Sequence, residues 1–312
     1  MKVLFHYDAG DQLRNEVALF SEQGLDVVCC PEGPDEPFYS ELSDAEVIWH
    51  VLHPITAEVL AQAPRLKLIQ KIGVGVNTID LETAKSRGIA VCNMPGTNSP
   101  AVAEMALLLM LAALRKLPRI SRACRTGQWH VDKATKEAFG EIRGRTVGFI
   151  GFGEIPKNLA PILDAMGARV IYTTNSPRDV SYEYLSLKSV LEQSDILTLH
   201  VPLTEETENL IDASKLDLMK PGAVLINTAR GELVDEAALY AAIKNGSLSA
   251  AGLDVFSQEP IPTENPLLSL DNVVVSPHVA WLTNETFTRS LHIAVQNSLA
   301  IRDGGELVHR VG

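Results

Sequence analysis

The sequence predicts an α/β protein built on two parallel sheets, and three observations carry that reading. Short apolar runs rich in β-branched residues alternate with longer amphipathic segments almost throughout. That is the pattern of strand-helix-strand units whose parallel sheet is covered on both faces. The alternation occurs in two successive series, separated by the turn-rich NMPGTNSP and a long apolar segment. The chain has 312 residues, enough for two domains of ordinary size.

In the first series, KVLFHY, LDVVCC, AEVIWHV, LKLIQKI and IAVCN read as strands, with helical patterns such as LRNEVALFSEQG and LETAKSRG between them. The segment AVAEMALLLMLAALRK then reads as a helix apolar on most faces, suited to a domain boundary or a subunit interface. After a polar stretch the second series follows: RTVGFIGFG, ARVIYTT, DILTLHVP, GAVLINTAR, AAGLDVF and NVVVSPHV, with helix-like segments between. The last helix, NETFTRSLHIAVQNSLAIRDG, carries an apolar stripe at Phe287, Leu291, Ala294, Val295 and Leu299. Two such units in series suggest a cleft between them. Ligands of open parallel sheets bind beyond the carboxyl ends of the strands, which directs attention to the residues just after each strand.

Composition narrows the function. The net charge of −12 argues against a general nucleic-acid binder, which needs a basic face, yet leaves room for a local anion site. The longest apolar run, Ala101 to Leu114, is interrupted by Glu104 and is too short to span a bilayer, and Asp8 comes too early for a secretory signal. Cys29, Cys30, Cys92 and Cys124 match no zinc or disulfide framework, so no metal site is expected and free thiols in a reducing cytoplasm are.

VGFIGFGEIPKNLA reads as a buried strand, a turn and a helix. Gly151 permits the tight turn, and Gly153 lets backbone approach a pyrophosphate at the helix N-terminus. The alternative is an ordinary strand-to-helix turn. Pro156 stands where a third glycine would; it is tolerated in a first helical turn but removes one N–H donor, and its ring is expected to push the helix outward. Pro161 is a possible kink. The next strand, ARVIYTT, ends in Thr173 and Thr174, where an NAD site carries an acid for the ribose hydroxyls. Without that acid a 2′-phosphate meets no repulsion. Of Asn175 and Arg178, which follow, Arg178 either pairs with such a phosphate or is a solvated loop charge. Acceptance of NADP(H) is therefore favoured.

Arg230, Glu259 and His278 each follow a later strand and can converge. Arginine clamps a carboxylate bidentately, histidine exchanges a proton near neutral pH, and a carboxylate beside it favours and orients the imidazolium. The set suits reduction of a 2-oxo acid. Taken singly, each residue is better explained by a surface or capping role; the argument rests on the set.

With these motifs in hand, nearly the whole chain resembles the D-isomer-specific 2-hydroxyacid dehydrogenase family, most specifically in KIGVGVNTID, GFGEI, LHVPLTEET, MKPGAVLINTARGELVDEAAL, GLDVFSQEP and SPHVAWLT. The resemblance implies that Arg230 binds the substrate's carboxylate and carbonyl, and that Glu259 holds His278 as the general acid/base. It implies that backbone N–H groups of Val74, Gly75 and Val76 take the substrate carboxylate. The NAD(P) site would be lined by Glu154, Ile155, His200, Val201, Pro202, Thr207, Thr228, Ala229, Arg230, Asp254, His278 and Ala280, with Asp254 on the nicotinamide side. Trp281 either walls the pocket or is a core aromatic, and His53 either approaches the substrate or lies on the surface.

The architecture implied is two Rossmann-like or flavodoxin-like domains: a discontinuous substrate domain of residues 1–98 plus 284–312, and a nucleotide-binding domain of residues 99–283. A homodimer is implied, with the 101–114 helix in the contact. The substrate would be a small anionic 2-oxo or 2-hydroxy acid, with glyoxylate or hydroxypyruvate the first expectation. The departures at Glu154, Pro156 and Thr173/Thr174 all concern the cofactor. Two other readings share this fold: a nucleotide-sensing corepressor, and an enzyme with an impaired cofactor site.

Overall fold

The computed structural model describes residues 1–31 and 36–311. The chain divides into two compact units, Met1–Asn98 with Thr283–Gly312, and Ser99–Leu282.

In the first unit the elements run β1 (Lys2–His6), α1 (Asp11–Ala18), β2 (Asp26–Cys30), α2 (Glu36–Leu42), β3 (Val47–His50), α3 (Ala57–Ala61), β4 (Leu68–Lys71), α4 (Leu81–Ser86) and β5 (Ala90–Cys92). The five strands form one sheet in the order β2-β1-β3-β4-β5, every pair parallel, which is the flavodoxin-like arrangement. The inner strands are buried along almost their whole length because both faces are covered, whereas the edge strand β2 begins with the exposed Asp26. Thr56 and Asp80 begin α3 and α4 by accepting the N–H groups of Val59 and Thr83 on their side chains, which satisfies donors that the helix itself leaves open.

One sheet face packs Leu4, Ile48 and Ile69 against Phe38, Leu42, Val59 and Leu60. The long final helix of the chain also belongs to this unit. It buries Phe287, Leu291, Ala294 and Val295, and Leu299 is only half buried. Two side-chain bonds fix its register: Trp49 Nε1 donates to Ser298 Oγ at 3.0 Å, and Asn297 Nδ2 donates to Gln70 Oε1 at 2.6 Å.

The second unit opens with α5 (Ser99–Leu114), α6 (Leu117–Arg125) and α7 (Lys133–Glu137). It continues β6 (Thr146–Ile150), α8 (Glu154–Ala165), β7 (Arg169–Thr173), β8 (Glu183–Tyr184), α9 (Leu187–Gln193), β9 (Ile196–Leu199), α10 (Ala213–Leu216), β10 (Ala223–Asn227), α11 (Glu236–Lys244), β11 (Leu248–Leu253) and β12 (Val273–Val275). The final helix is then α12 (Asn284–Asp303). Seven parallel strands lie in the order β12-β11-β10-β9-β6-β7-β8, a Rossmann-type sheet with one further strand at the β12 edge.

Helices α5 and α8 cover one face through Ala106, Leu109, Met110, Leu159 and Leu163. Helices α9, α10 and α11 cover the other through Val190, Leu216, Leu239 and Ile243. The strand order reverses between β6 and β9, so the loops after these two strands flank the switch point where such sheets take ligands. The two-residue strand β8 has no sequence signature, because Glu183 and Tyr184 are both exposed at the sheet edge.

Cys29, Cys30, Cys92 and Cys124 are free. Among the described residues no helix is long and apolar enough to cross a membrane, and no group of three or more His, Cys, Asp or Glu could hold a metal ion.

Candidate active site

The glycine turn follows β6 at the switch point of the second unit. Gly151 has φ +91°, and a Cβ there would fall 2.3 Å from the carbonyl oxygen of His200, so the position requires glycine on two counts. Gly153 differs. Its φ is −94°, and a Cβ would meet nothing within 4 Å. No internal packing accounts for glycine there, whereas close approach of a ligand does.

Gly153 N-caps α8 without a side-chain bond, which leaves the N–H groups of Glu154 and Ile155 for an anion. The ring of Pro156 is buried in the helix's core-facing side, and Pro161 lies inside a helix that continues to Ala165. Glu154 is paired with Lys157 at 2.7 Å, which partly neutralises the carboxylate nearest the expected pyrophosphate.

Thr173 is buried at the end of β7, and Thr174 Oγ1 donates to Ser176 O at 2.6 Å. Tyr172 shapes the following loop: its hydroxyl accepts from Arg178 N at 2.8 Å and lies 3.2 Å from Arg178 O. Asn175 and Arg178 are exposed, and no carboxylate among the described residues pairs with Arg178. After β9, Thr207 Oγ1 accepts from Thr204 N at 2.8 Å and donates to Pro202 O at 2.7 Å, which closes the turn after Val201 and Pro202. His200 contacts Thr198 Oγ1 through Nε2 at 2.9 Å, and burial pulls its pKa down to about 3, so the ring is neutral.

After β10, Asn227 builds the turn that presents Arg230. Its Oδ1 accepts from Ala229 N at 3.0 Å and its Nδ2 donates to Arg230 O at 2.7 Å. Thr228 Oγ1 is buried and has no hydrogen-bond partner among the described residues. An orphaned hydroxyl of that kind calls for a ligand atom, and with the open space at Gly153 it fits a dinucleotide. Arg230 donates to Ala229 O at 2.6 Å. Burial lowers its pKa, while Glu232 and Glu259 act to raise it.

Glu259 and His278 are brought together: Glu259 Oε2 lies 2.6 Å from His278 Nδ1. Glu259 Oε1 accepts from Phe256 N at 2.9 Å. Burial alone would raise the Glu259 pKa. The His278 hydrogen bond and charge, the Phe256 N–H and Arg230 outweigh burial and hold it below the usual carboxylate range.

His278 has φ +55°, a left-handed conformation in which histidine is tolerated at some cost. Asp254 holds the chain there. Its backbone oxygen accepts from His278 N at 2.8 Å. Its buried carboxylate accepts from Ser276 Oγ at 2.6 Å, Val279 N at 3.0 Å and Ala280 N at 2.8 Å. Burial raises the Asp254 pKa against these bonds. Trp281, next in the chain, is buried.

In the first unit, the N–H groups of Val74, Gly75 and Val76 form no hydrogen bond among the described residues, although the loop is fixed by Asn93 Nδ2 to Val74 O at 2.9 Å and Met94 N to Gly73 O at 2.8 Å. Three such amides in a braced loop are available to an anion. His53 is half buried, edge-on to His6 with ring centroids 5.2 Å apart.

Sequence reasoning passed over Asn227, Gly231 and Glu236. Asn227 had a usable signal, an asparagine closing a strand before a turn. Gly231 and Glu236 act through contacts distant in sequence.

A family model described as the NAD binding domain of D-isomer specific 2-hydroxyacid dehydrogenases matches residues 107–280. A glyoxylate reductase of Korarchaeum cryptofilum is 41% identical over 257 residues, 80% of this chain and 77% of its own. A hydroxypyruvate reductase of Thermotoga maritima is 42% identical over 240 residues, 75% of this chain and 77% of its own. The D-lactate dehydrogenase of Aquifex aeolicus, solved with NAD and lactic acid, superimposes with a TM-score of 0.85 at 31% identity, covering 97% of this chain and 96% of that one. A match over more than half of the sequence, joined to these relatives, makes the chain a member of the D-isomer specific 2-hydroxyacid dehydrogenase family of nicotinamide-dependent oxidoreductases.

Proposed function

We propose that this enzyme reduces a small 2-oxo acid to the D-2-hydroxy acid, with glyoxylate or hydroxypyruvate as substrate. The observation that carries the reading is the 2.6 Å contact of Glu259 with His278 beside a half-buried arginine. Glu259 engages Nδ1, so Nε2 is the nitrogen left to serve the substrate. His278 gives its proton to the carbonyl oxygen during reduction and takes it back in the reverse direction, while Glu259 stabilises the imidazolium. Arg230 holds the substrate carboxylate and polarises the carbonyl. In the first unit, the amides of Val74, Gly75 and Val76 would receive a carboxylate, and in the second Trp281 would wall the substrate pocket.

The nicotinamide, when bound, supplies the hydride. Gly151, Gly153, Glu154 and Ile155 would receive the pyrophosphate, and Thr228, Ala229, His200, Val201, Pro202, Thr207, Asp254 and Ala280 would line the rest. Thr173, Thr174, Asn175 and Arg178 favour acceptance of NADP(H), since β7 ends in threonines where an acid would oppose a 2′-phosphate, and the exposed Arg178 can pair with it.

The enzyme acts as a homodimer in the cytoplasm. The exposure of Leu108 on α5 (53%), of Leu117 (47%) and of Trp129 (81%) supports a covered apolar face, and four free thiols suit a reducing compartment. The test of the function is turnover of NADH and NADPH with a panel of 2-oxo acids. Cofactor binding without turnover on any of them would reject the reading.

A further inference from the structure

Glu236 is the first residue of α11, and both of its carboxylate oxygens serve a loop that follows a different strand. Oε1 accepts from Ser257 N at 2.6 Å, and Oε2 accepts from Asn265 Nδ2 at 2.9 Å. No lysine, arginine or histidine among the described residues pairs with it.

Ser257 and Asn265 bracket the segment that carries Glu259. Asn265 is itself fixed, because its Oδ1 accepts from Leu267 N at 3.0 Å and its N–H donates to Pro262 O at 3.0 Å. A single carboxylate therefore ties the two ends of the loop. At the first tie, successive amides go to two acids: Phe256 N–H to Glu259 and Ser257 N–H to Glu236. The same backbone lies against Gly231, the neighbour of Arg230. A Cβ on Gly231 would fall 1.9 Å from the carbonyl carbon of Phe256 and 2.3 Å from Ser257 N. The peptide that leads to Glu259 is thus held by packing against Gly231 and by the bond to Glu236.

We infer that Glu236 is a positioning residue for the reaction: by anchoring Ser257 and Asn265 it sets the orientation in which Glu259 meets His278. The inference rests on the acid/base reading of Glu259 and His278 given above. Among the described residues Glu236 hydrogen-bonds to neither partner of the pair, so its effect reaches chemistry through the loop. Freeing the loop loosens the 2.6 Å contact of carboxylate with imidazole, and with it the support that Glu259 gives to the charged ring.

The experiment is the pH profile of kcat/KM for 2-oxo acid reduction in E236A, E236Q, E259Q and E236A/E259Q, with H278Q as the reference for the reading. E236A should lose roughly 10- to 100-fold in kcat/KM, the scale of a misplaced catalytic group. Its alkaline limb should move toward lower pH, in the same direction as in E259Q and no further. The double variant should place the limb where E259Q does, because both changes act on one contact. E236Q keeps an acceptor for Ser257 N–H but turns a donor toward Asn265, so its limb should lie between wild type and E236A. That variant carries the test if E236A does not fold.

A limb unmoved in E236A, or in E236Q where E236A is unfolded, overturns the inference. If E259Q has moved the limb, the reading of the acid/base pair stands. Near-normal turnover of H278Q, or an unmoved limb in E259Q, overturns the reading and this inference with it.

Discussion

Glu259 Oε2 and His278 Nδ1 lie 2.6 Å apart, with His278 held at φ +55° by bonds from the Asp254 backbone and side chain. A strained residue kept in place by so many bonds is one whose direction matters. His278→Gln should bind cofactor normally and lose roughly 10²- to 10⁴-fold in turnover, the usual contribution of a positioned proton donor. Glu259→Gln should keep more activity and shift the alkaline limb of reduction toward lower pH. Turnover of both variants across pH, with cofactor Kd from tryptophan fluorescence, decides the matter.

Arg230 offers a second test. Lysine would keep the charge and lose the planar fork. Arg230→Lys should therefore raise KM and lower kcat, with cofactor affinity little changed. Steady-state kinetics equal to wild type would remove the carboxylate clamp from the proposal.

The cofactor site is tested at two positions. Pro156→Gly restores an N–H to the first turn of α8 and should tighten dinucleotide binding. It also removes a ring that packs in the core and adds chain entropy, so the Tm should fall at the same time. Arg178→Ala should weaken NADPH binding and leave NADH nearly unchanged. Wild type with a strong preference for NADH would reject the argument from Thr173 and Thr174.

Gly231→Ala should be costly although the substitution adds one methyl group. The Cβ would lie 1.9 Å from a backbone carbon, so the Phe256 loop or the Arg230 turn must move. We expect a lower Tm together with a loss of kcat/KM. Gly10→Ala is the control, since a Cβ there meets nothing within 4 Å and φ is −70°. Equal effects of the two substitutions would dismiss the packing account.

The first unit should be sensitive to acid. His6 and His50 are fully buried at the ends of β1 and β3, and His6 stacks on Phe38 at 3.8 Å. Neither ring nitrogen of His6, nor Nδ1 of His50, has a hydrogen bond of normal geometry among the described residues. Burial, with His53 adding to it and the Pro31 carbonyl opposing, pulls His6 down to about 4, and burial with Lys71, His6 and His53 holds His50 well below the usual histidine value. An unfolded histidine takes its proton near pH 6.5, whereas folded His6 does so only near 4. The stability present above pH 6.5 is therefore lost as pH falls through that window, by about 3 kcal/mol from His6 alone. His6→Phe should make the fall of Tm between pH 6.5 and 4 shallower, and an unchanged slope would contradict this assignment.

The strand runs of both sheets were legible because buried parallel strands leave continuous apolar segments such as TVGFI and AVLIN. Strand β8 was not, since two exposed edge residues carry no periodic signal. Arg230, Glu259 and His278 could be picked out because each follows a strand and bears a chemically expressive side chain. The geometry around them could not be read. That Asp254 clamps the His278 loop, that Asn227 shapes the Arg230 turn, and that Glu236 ties the Glu259 loop depend on contacts between segments brought together by folding. The sequence also marks Pro156 as an irregularity without revealing that its ring is buried.

The first unit is assembled from two stretches of chain, Met1–Asn98 and Thr283–Gly312, with the whole second unit between them. Trp49 donates to Ser298 and Gln70 accepts from Asn297, both residues of α12. As the ribosome delivers the chain, five strands emerge early and wait for α12, while the second unit becomes available in one uninterrupted piece. The apolar side of the first sheet that α12 covers thus stays uncovered until the whole second unit has been made. A nascent chain halted before Asn284 should be held by chaperones more strongly than one extended past Asp303, and release should follow the synthesis of α12.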